Sequence, residues 1–333
     1  MSRFSCLMLV IILASVFSLK AVAGYSVGFI KVDTFSNETN EEIPVAVTYP
    51  TNVPEKAVRF GPFEMNLAIG AEVAKGTFPL VIISHGSGGS NLGHRSIAFA
   101  LAKQGFVVAM PLHPENNYKN NSAEGTVKNW KNRPKHIKTA IDALLLNPKL
   151  SPNINIDKIA VIGHSAGGYT ALAVAGGMAQ TNSIIELCNK KLLLKERMCG
   201  LVKDHKLTPA QIENRRDQRV KAIVLMAPVG VLFTQKDSLE QVNIPVLVMR
   251  AENDAELTEP YQSEMIAQNM KDKEMLTYRV IKNAGHYSFI TPFPDAIKSE
   301  AGVAGEDPVG FDRKAFHKRL SAEIVTYLLR VLK

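Results

Sequence analysis

Short apolar runs alternate along the chain with longer amphipathic stretches, a pattern typical of strands that alternate with helices. It predicts eight strands, at 25–33, 44–50, 79–84, 106–111, 158–163, 220–227, 244–250 and 276–281. From about Asp312 to Leu332 the apolar residues recur at helical spacing, which predicts a final helix packed on the sheet. The order of elements predicts an α/β fold with a mostly parallel, doubly wound sheet and an antiparallel N-terminal edge.

The N-terminus has the pattern of a signal peptide. Arg3 precedes an apolar run from Cys6 to Leu19, and Ala21-Val22-Ala23 supplies small residues at a cleavage site. The run is shorter than the roughly 20 residues that a membrane-spanning helix needs. We therefore expect residues 1–23 to be removed near Ala23 and the protein to be periplasmic or secreted, with an uncleaved anchor as the alternative.

One predicted strand leads directly into a serine-containing turn, Gly163-His164-Ser165-Ala166-Gly167. An alanine-rich stretch, predicted to be helical from Tyr169 to about Met178, follows it. G-x-S-x-G between a strand and a helix is typical of a nucleophilic serine on a strained turn, where glycines relieve backbone crowding. The N-terminal end of the helix favours developing negative charge. Ser165 is therefore the predicted nucleophile, and a simple turn serine is the alternative.

A serine nucleophile needs a base and a group that orients the base. Asp254 follows the seventh predicted strand, and His286 follows the eighth after a small Ala-Gly pair. The chain order of serine, acid and histidine is the one expected in this kind of sheet. The sequence thus predicts a triad of Ser165, Asp254 and His286, with Glu252 and Glu256 as alternative carboxylates.

The remaining histidines have other expected roles. His164 should point away from the serine and pack beneath the turn, while His136 and His317 lie on predicted helices and should be exposed or hydrogen-bonded. No two histidines show the helical spacing with a carboxylate that marks a common zinc motif. The sequence therefore predicts neither a metal site nor a cofactor. The chain has four further histidines, to which the sequence assigns no specific role: His85, His94, His113 and His205.

A glycine-rich segment, His85-Gly86-Ser87-Gly88-Gly89-Ser90, follows the third predicted strand. Stabilisation of a tetrahedral oxyanion requires two convergent N–H groups, one from the residue after the nucleophile and one from such a loop. We expect these donors to be the N–H groups of Ala166 and Ser87. A flexible strand-to-helix turn is the alternative role for the glycines.

Four stretches carry a resemblance to a known family: SHGSGG at 84–89, WKNRPKHIKTAIDALL at 130–145, GHSAGG at 163–168 and NAGHYSFITPF at 283–293. Together they resemble the family of predicted dienelactone hydrolases, close to the platelet-activating-factor acetylhydrolase-like branch of the α/β-hydrolases. The resemblance spans roughly residues 45–293 and implies an α/β-hydrolase fold, so we expect residues 24–333 to form one such domain. Two positions depart from it, because His136 stands where an aspartate is usual and Ala251 where glycine is. Authentic dienelactone hydrolase uses a cysteine nucleophile at the position of Ser165.

Residues 179–219 form a polar, lysine-rich insertion that we interpret as a small helical cap. It contains Cys188 and Cys199, which in an exported protein are candidates for a disulfide, with two free thiols as the alternative. Its apolar residues either contact a long acyl chain as a lid or only pack onto the domain. They are Ile184, Ile185, Leu187, Leu192, Leu193, Leu194 and Met198.

Composition and charge limit the classes of function that fit the chain. With 333 residues, 46% of them hydrophobic, the chain can bury one large core. Two of the 39 basic residues lie in the expected signal peptide, and the remaining 37 exceed the 31 acidic residues. This net positive charge favours anionic substrates or transient membrane-surface contact. No basic-aromatic stripe indicates nucleic-acid binding. The prediction is an exported serine hydrolase of small-molecule or lipid carboxylic esters; a peptidase or amidase, or a non-catalytic binding protein, are the alternatives.

Overall fold

Ten strands hydrogen-bond into one sheet in the computed structural model, which describes residues 24–193 and 196–333. The expected signal peptide and Leu194 of the insertion lie outside the described residues. The strands are β1 (Ser26–Ser36), β2 (Glu41–Thr51), β3 (Lys56–Phe60), β4 (Phe63–Ile69), β5 (Phe78–Ser84), β6 (Val107–Pro111), β7 (Ile154–His164), β8 (Val220–Met226), β9 (Val246–Ala251) and β10 (Leu276–Ile281).

Helices connect the strands and cover both faces of the sheet. They are α1 (Arg95–Lys103), α2 (Val127–Leu146), α3 (Ala166–Ala175), α4 (Asn182–Asn189), α5 (Arg197–Lys203), α6 (Ser263–Asn269), α7 (Asp295–Lys298) and α8 (Arg313–Val331). Helices α2 and α3 bury residues such as Trp130 and Leu172 on one face, and α1 and α8 bury Leu101 and Phe316 on the other. Within the described ranges, no helix combines the length and apolar character needed to cross a bilayer.

The order of strands places a crevice beside β5. Six neighbours, β10-β9-β8-β7-β5-β6, run parallel to one another. β2 pairs antiparallel with both β6 and β1, so the predicted α/β class and its antiparallel N-terminal edge are confirmed. Because the chain runs from β5 to β6 on one side and returns to β7 on the other, the order reverses beside β5. Ligand sites in such sheets lie at the carboxyl ends of the strands next to a reversal.

All eight predicted strands are present, but the structure adds a hairpin that the sequence pattern did not indicate. This hairpin, β3 and β4, turns through Gly61 and Pro62 and pairs antiparallel. Its strands are largely exposed, with Met65 and Leu67 among the few deeply buried side chains, so their apolar signal is weak. Helix α3 also differs, because it begins three residues earlier than predicted and ends at Gly176, whose φ of 113° stops the helix.

The insertion at 179–219 contains the two short helices α4 and α5. A disulfide joins Cys188 to Cys199, whose Cα atoms are 5.4 Å apart. Ile184 and Leu193 are almost fully buried and belong to the same hydrophobic core as α2 and α3. Much of the insertion is therefore packed onto the sheet rather than suspended above it.

Candidate active site

Ser165 occupies the sharp turn between β7 and α3. Its φ of 54° and ψ of −120° lie outside the regions that residues with a side chain favour, and such a conformation costs roughly 1–3 kcal/mol. Neighbouring backbone holds it in place: the Ser165 N–H donates to the carbonyl of Met226 at 3.0 Å, and its own carbonyl accepts from Val229 at 3.1 Å. The hydroxyl is thereby held at the carboxyl edge of the sheet, at the start of a helix.

The glycines on either side of Ser165 are required by close backbone packing. A Cβ built on Gly163 would lie 2.0 Å from the carbonyl oxygen of Gly167, and one on Gly167 would lie 2.0 Å from that of Ser84. Both distances are far shorter than a real non-bonded carbon–oxygen contact, and the clashing oxygens belong to the backbone, which cannot easily move. The G-x-S-x-G spacing therefore follows from the tight packing of the turn against β5.

His286 lies just after β10, with Asp254 beside it in the loop after β9. His286 Nδ1 is 2.8 Å from Asp254 Oδ2, and both side chains are more than 90% buried. An ionised carboxylate can only accept, so Nδ1 carries the proton and Nε2 of the neutral ring is free to accept one. The other carboxylate oxygen, Oδ1, accepts from the N–H groups of Glu256 and Leu257 at 2.9 and 2.8 Å.

The two alternative carboxylates have different surroundings. Glu252 pairs with Lys282 at 2.6 Å and accepts from the Asn283 N–H at 2.9 Å, and the hydrogen bond from Lys282 lowers its pKa. Glu256 lines the same cavity as His286, but the carboxylate hydrogen-bonded to the imidazole belongs to Asp254. The structure thus brings Ser165, His286 and Asp254 to one edge of the sheet.

His164 is buried between the nucleophile turn and the loop that carries His286, and it also lines part of the cavity. Its Nε2 donates to the carbonyl of His286 at 3.0 Å, and the two rings are 4.9 Å apart. The side chain is buried, and burial together with the neighbouring histidines holds its pKa well below the usual range. A neutral His164 therefore connects the nucleophile turn to the loop that carries His286.

The loop after β5 packs directly against Ser165. A Cβ built on Gly86 would lie only 3.0 Å from Ser165 Cβ, so a side chain there would push against the nucleophile turn. Ser87 and Ala166, the two expected oxyanion donors, both line the cavity beside the serine.

A cavity of about 1060 Å³ opens over Ser165 and His286. Its apolar walls come from three segments that are distant in sequence. The tip of the β3–β4 hairpin contributes Phe60 and Phe63, the insertion contributes Met198 and Leu201, and the segment after His286 contributes a further apolar wall. The residues of that wall include Ile290, Phe293, Ile297, Ala301 and Ala304.

A buried carboxylate, Glu196, connects the insertion to the loop that carries Asp254. Its Oε1 accepts from the N–H and hydroxyl of Thr258 at 2.7 and 2.9 Å, and Gln262 donates to both of its oxygens. Burial raises the pKa of Glu196 despite these hydrogen bonds. Sequence reasoning missed this residue, because nothing local distinguishes it from an exposed glutamate.

Three other histidines are buried with Arg133 behind the loop after β5. His136, expected to be exposed or hydrogen-bonded, is buried and hydrogen-bonded to Glu41 at 2.8 Å and to His113 at 3.1 Å. His85 also belongs to this group. Across the described ranges, no group of three or more histidines, cysteines or carboxylates is arranged to hold a metal ion. Arg133 lies within the family-like stretch 130–145, and no sequence signal indicates its contacts with this loop.

The model of the chlorophyllase family matches residues 23–286, about four-fifths of the chain. The chain belongs to this family. Chlorophyllase-1 from Arabidopsis thaliana is 31% identical over 147 residues, which span 42% of this chain and 39% of that protein. The chain therefore aligns with well under half the length of this relative.

Two solved structures show that this chlorophyllase-family chain has the α/β-hydrolase fold. A ferulic acid esterase from Streptomyces cinnamoneus superposes with a TM-score of 0.62 at 17% identity, covering 94% of this chain and 91% of that one. A dienelactone hydrolase-like promiscuous phosphotriesterase, P91, from metagenomic libraries gives 0.56 at 16% identity, with 92% and 99% covered. The resemblance to dienelactone hydrolase-like proteins expected from the sequence is confirmed, and the family is one of esterases and related hydrolases.

Proposed function

We propose that this protein is an exported serine hydrolase that cleaves carboxylic esters. One observation carries the proposal: His286, hydrogen-bonded to Asp254 at 2.8 Å, lines the same cavity as Ser165, which is held on a strained turn. A strained, well-supported backbone at the mouth of a cavity is a common sign of a reactive residue. The hydrogen bond to Asp254 leaves the other imidazole nitrogen available as a base.

The reaction begins when Ser165 Oγ attacks the ester carbonyl and His286 Nε2 accepts its proton. The tetrahedral intermediate then collapses, and His286 gives that proton to the departing alcohol. Water attacks the acyl-enzyme by the same route, returning the proton to Ser165 and releasing the acid. Asp254 keeps Nδ1 protonated throughout and stabilises the imidazolium that forms in each half.

Two backbone N–H groups supply the oxyanion hole. That of Ala166 is the first of helix α3, where the helix dipole adds favourable potential, and that of Ser87 comes from the loop that packs against Ser165. Removing one such donor typically costs about 100- to 1000-fold in rate.

The shape and walls of the cavity favour an ester with a large apolar group. Aromatic side chains at the hairpin tip and aliphatic ones in the insertion line it together with Ser165. The name of one structural neighbour, a ferulic acid esterase, agrees with ester hydrolysis. A small-molecule or lipid ester is therefore the proposed substrate.

Labelling and turnover together test the chemistry. A fluorophosphonate probe should label the purified protein and leave Ser165→Ala unlabelled. Hydrolysis of p-nitrophenyl esters by the wild type, with no hydrolysis of aminoacyl p-nitroanilides, would identify an esterase. Efficient cleavage of the anilides would instead indicate a peptidase, and absence of both labelling and turnover would indicate a binding protein on this scaffold.

Export is supported by the N-terminal pattern and by the disulfide, since disulfides persist in oxidising compartments. Expression of the full chain in a bacterial host, followed by fractionation and N-terminal sequencing, tests it. The expected mature protein begins at Gly24 in the periplasm or medium. An intact Met1 in the cytoplasmic fraction would contradict export without affecting the proposed chemistry.

A further inference from the structure

Arg133 is a fully buried arginine that contacts two segments of the candidate site at once. It directly precedes Pro134 in helix α2, and its guanidinium extends between the loop after β5 and helix α3. It donates to the carbonyl of His85 in that loop, and Nε donates to Thr170 Oγ1 on α3 at 2.9 Å. The planar fork of arginine is suited to holding two acceptors in a fixed relation.

On the loop side, the contact with His85 affects the direction of the Ser87 N–H. His85 Nε2 accepts from the His113 backbone N–H at 3.1 Å, so its proton is on Nδ1, which donates to the carbonyl of Gly86 at 2.7 Å. That carbonyl and the Ser87 N–H belong to one planar trans peptide and point in opposite directions. Fixing the Gly86 oxygen therefore aims the Ser87 N–H.

On the helix side, the hydroxyl of Thr170 donates to the carbonyl of Ala166 at 2.9 Å, which leaves a lone pair to accept from Arg133. Ala166 is the residue whose N–H is the second expected oxyanion donor. The Ala166 carbonyl belongs to the peptide that directly follows the one carrying the Ala166 N–H. Arg133 therefore supports the oxyanion-hole loop through His85 and the first turn of α3 through Thr170.

The charge of Arg133 is balanced at a distance. Among the described residues no carboxylate contacts it; instead hydrogen bonds lead from Arg133 through Ser84 at 3.3 Å, His113 at 2.8 Å, His136 at 3.1 Å and finally Glu41 at 2.8 Å. Every donor can point the same way, toward the carboxylate. Burial lowers the pKa of Arg133 to about 9, so the guanidinium stays charged at neutral pH.

We propose that Arg133 is a positioning residue that holds the two halves of the oxyanion hole in register, through His85 on one side and Thr170 on the other. The inference rests on the proposed ester hydrolysis. Because the oxyanion exists only in the tetrahedral intermediate and the states around it, loss of the register lowers kcat and leaves KM nearly unchanged.

The test compares Arg133→Lys and Arg133→Met with Arg219→Lys. Arg219 is a matched control because it anchors the same helix, through Asp142 at 2.6 Å, at the opposite edge of the sheet. Fluorophosphonate titration gives the concentration of reactive serine, and kcat per titrated site is then measured with p-nitrophenyl acetate. We expect kcat to fall roughly 10- to 100-fold in Arg133→Met, less in Arg133→Lys, and not at all in Arg219→Lys.

A trifluoromethyl ketone supplies a second readout, because addition of the serine oxygen to its carbonyl creates the oxyanion. Its Ki should rise by the same factor as kcat falls. If the Arg133 variants do not fold, Thr170→Val, which keeps the side-chain shape and removes one arm, should show the same selective loss.

The positioning role would be overturned if folded Arg133→Met kept the wild-type kcat per titrated site. With Ser165→Ala inactive in the same assay, the proposed function would remain intact. Full activity in Ser165→Ala would overturn the proposed function itself. A parallel loss of titratable sites and total activity, at constant kcat per site, would make Arg133 structural only and would also refute the inference.

Discussion

Replacing Asp254 with asparagine should inactivate the protein by changing which imidazole nitrogen carries the proton. Oδ1 of Asp254 accepts two backbone N–H groups, at 2.9 and 2.8 Å, and only an oxygen can do so. The asparagine oxygen must therefore take the position of Oδ1, and its NH₂ group must face His286. A donor then meets the Nδ1–H donor, and the imidazole shifts its proton to Nε2, where it can no longer accept from Ser165.

The expected magnitude follows from the same geometry. The analogous change in a serine protease triad lowers kcat about 10,000-fold, which corresponds to a barrier higher by about 5 kcal/mol. Stability should change less, because the asparagine has nearly the same shape and keeps both backbone hydrogen bonds. The variant should therefore be folded, able to bind ester, and nearly inactive at neutral pH.

The assay is kcat for p-nitrophenyl acetate at pH 7, with thermal unfolding measured on the same samples. Glu252→Gln is the control, because its carboxylate pairs with Lys282 at the surface, where removing an ion pair has little effect on stability. A larger loss in Glu252→Gln than in Asp254→Asn would mean that the wrong carboxylate has been assigned.

Three further outcomes are expected. Ser165→Gly should be more stable than Ser165→Ala by about 1 kcal/mol in urea unfolding, because glycine tolerates the φ of 54°; equal stability would refute the strain. Burial lowers the pKa of His85, His94 and His317 to between about 3 and 4. As the pH drops from 6.5, the unfolded value, toward 4, the free energy of unfolding should therefore decrease by about 1.4 kcal/mol per pH unit for each histidine. His94→Asn should reduce this slope, and a flat profile from pH 7 to 5 would contradict the prediction. Reducing the Cys188–Cys199 bond should lower kcat/KM for decanoyl esters more than for acetyl esters, since Met198 of the insertion lines the cavity; equal losses would leave the insertion a purely structural role.

The fold, and the placement of the candidate residues at one edge of its sheet, could be predicted because both depend on periodicity. The inner parallel strands carry runs of buried apolar residues, and Ser165 and Asp254 closely follow two of them, in β7 and β9. His286 follows the edge strand β10, whose mixed residues are only partly buried but still alternate enough to be predicted as a strand. A chemical group directly after a buried parallel strand has to lie at the carboxyl edge of the sheet, whatever the loops do. The hairpin β3–β4 could not be predicted in this way, because its strands lie largely at the surface and bury few apolar residues.

The polar network behind the site escaped prediction for a different reason. Glu41 and His136 are 95 positions apart, and Arg133 and His85 are 48 apart, so their partners are set by how α2 packs on the sheet. In the sequence, a histidine or arginine on a helix reads as a solvated side chain. Only tertiary packing shows that these residues are buried together.

Two different parts of the fold hold the candidate site together. The groups that would react are attached to strand ends, where the hydrogen bonds of the sheet fix their positions, whereas the groups that would aim the oxyanion donors belong to a helix and a buried relay. Leaving a charged guanidinium without its acceptors in the interior would cost several kcal/mol. Arg133 is thus confined to a conformation in which it contacts both His85 and Thr170. Burial hides this network from sequence-based prediction. The same burial confines the side chains around Arg133, which is how the network would hold the Ser87 and Ala166 N–H groups in place.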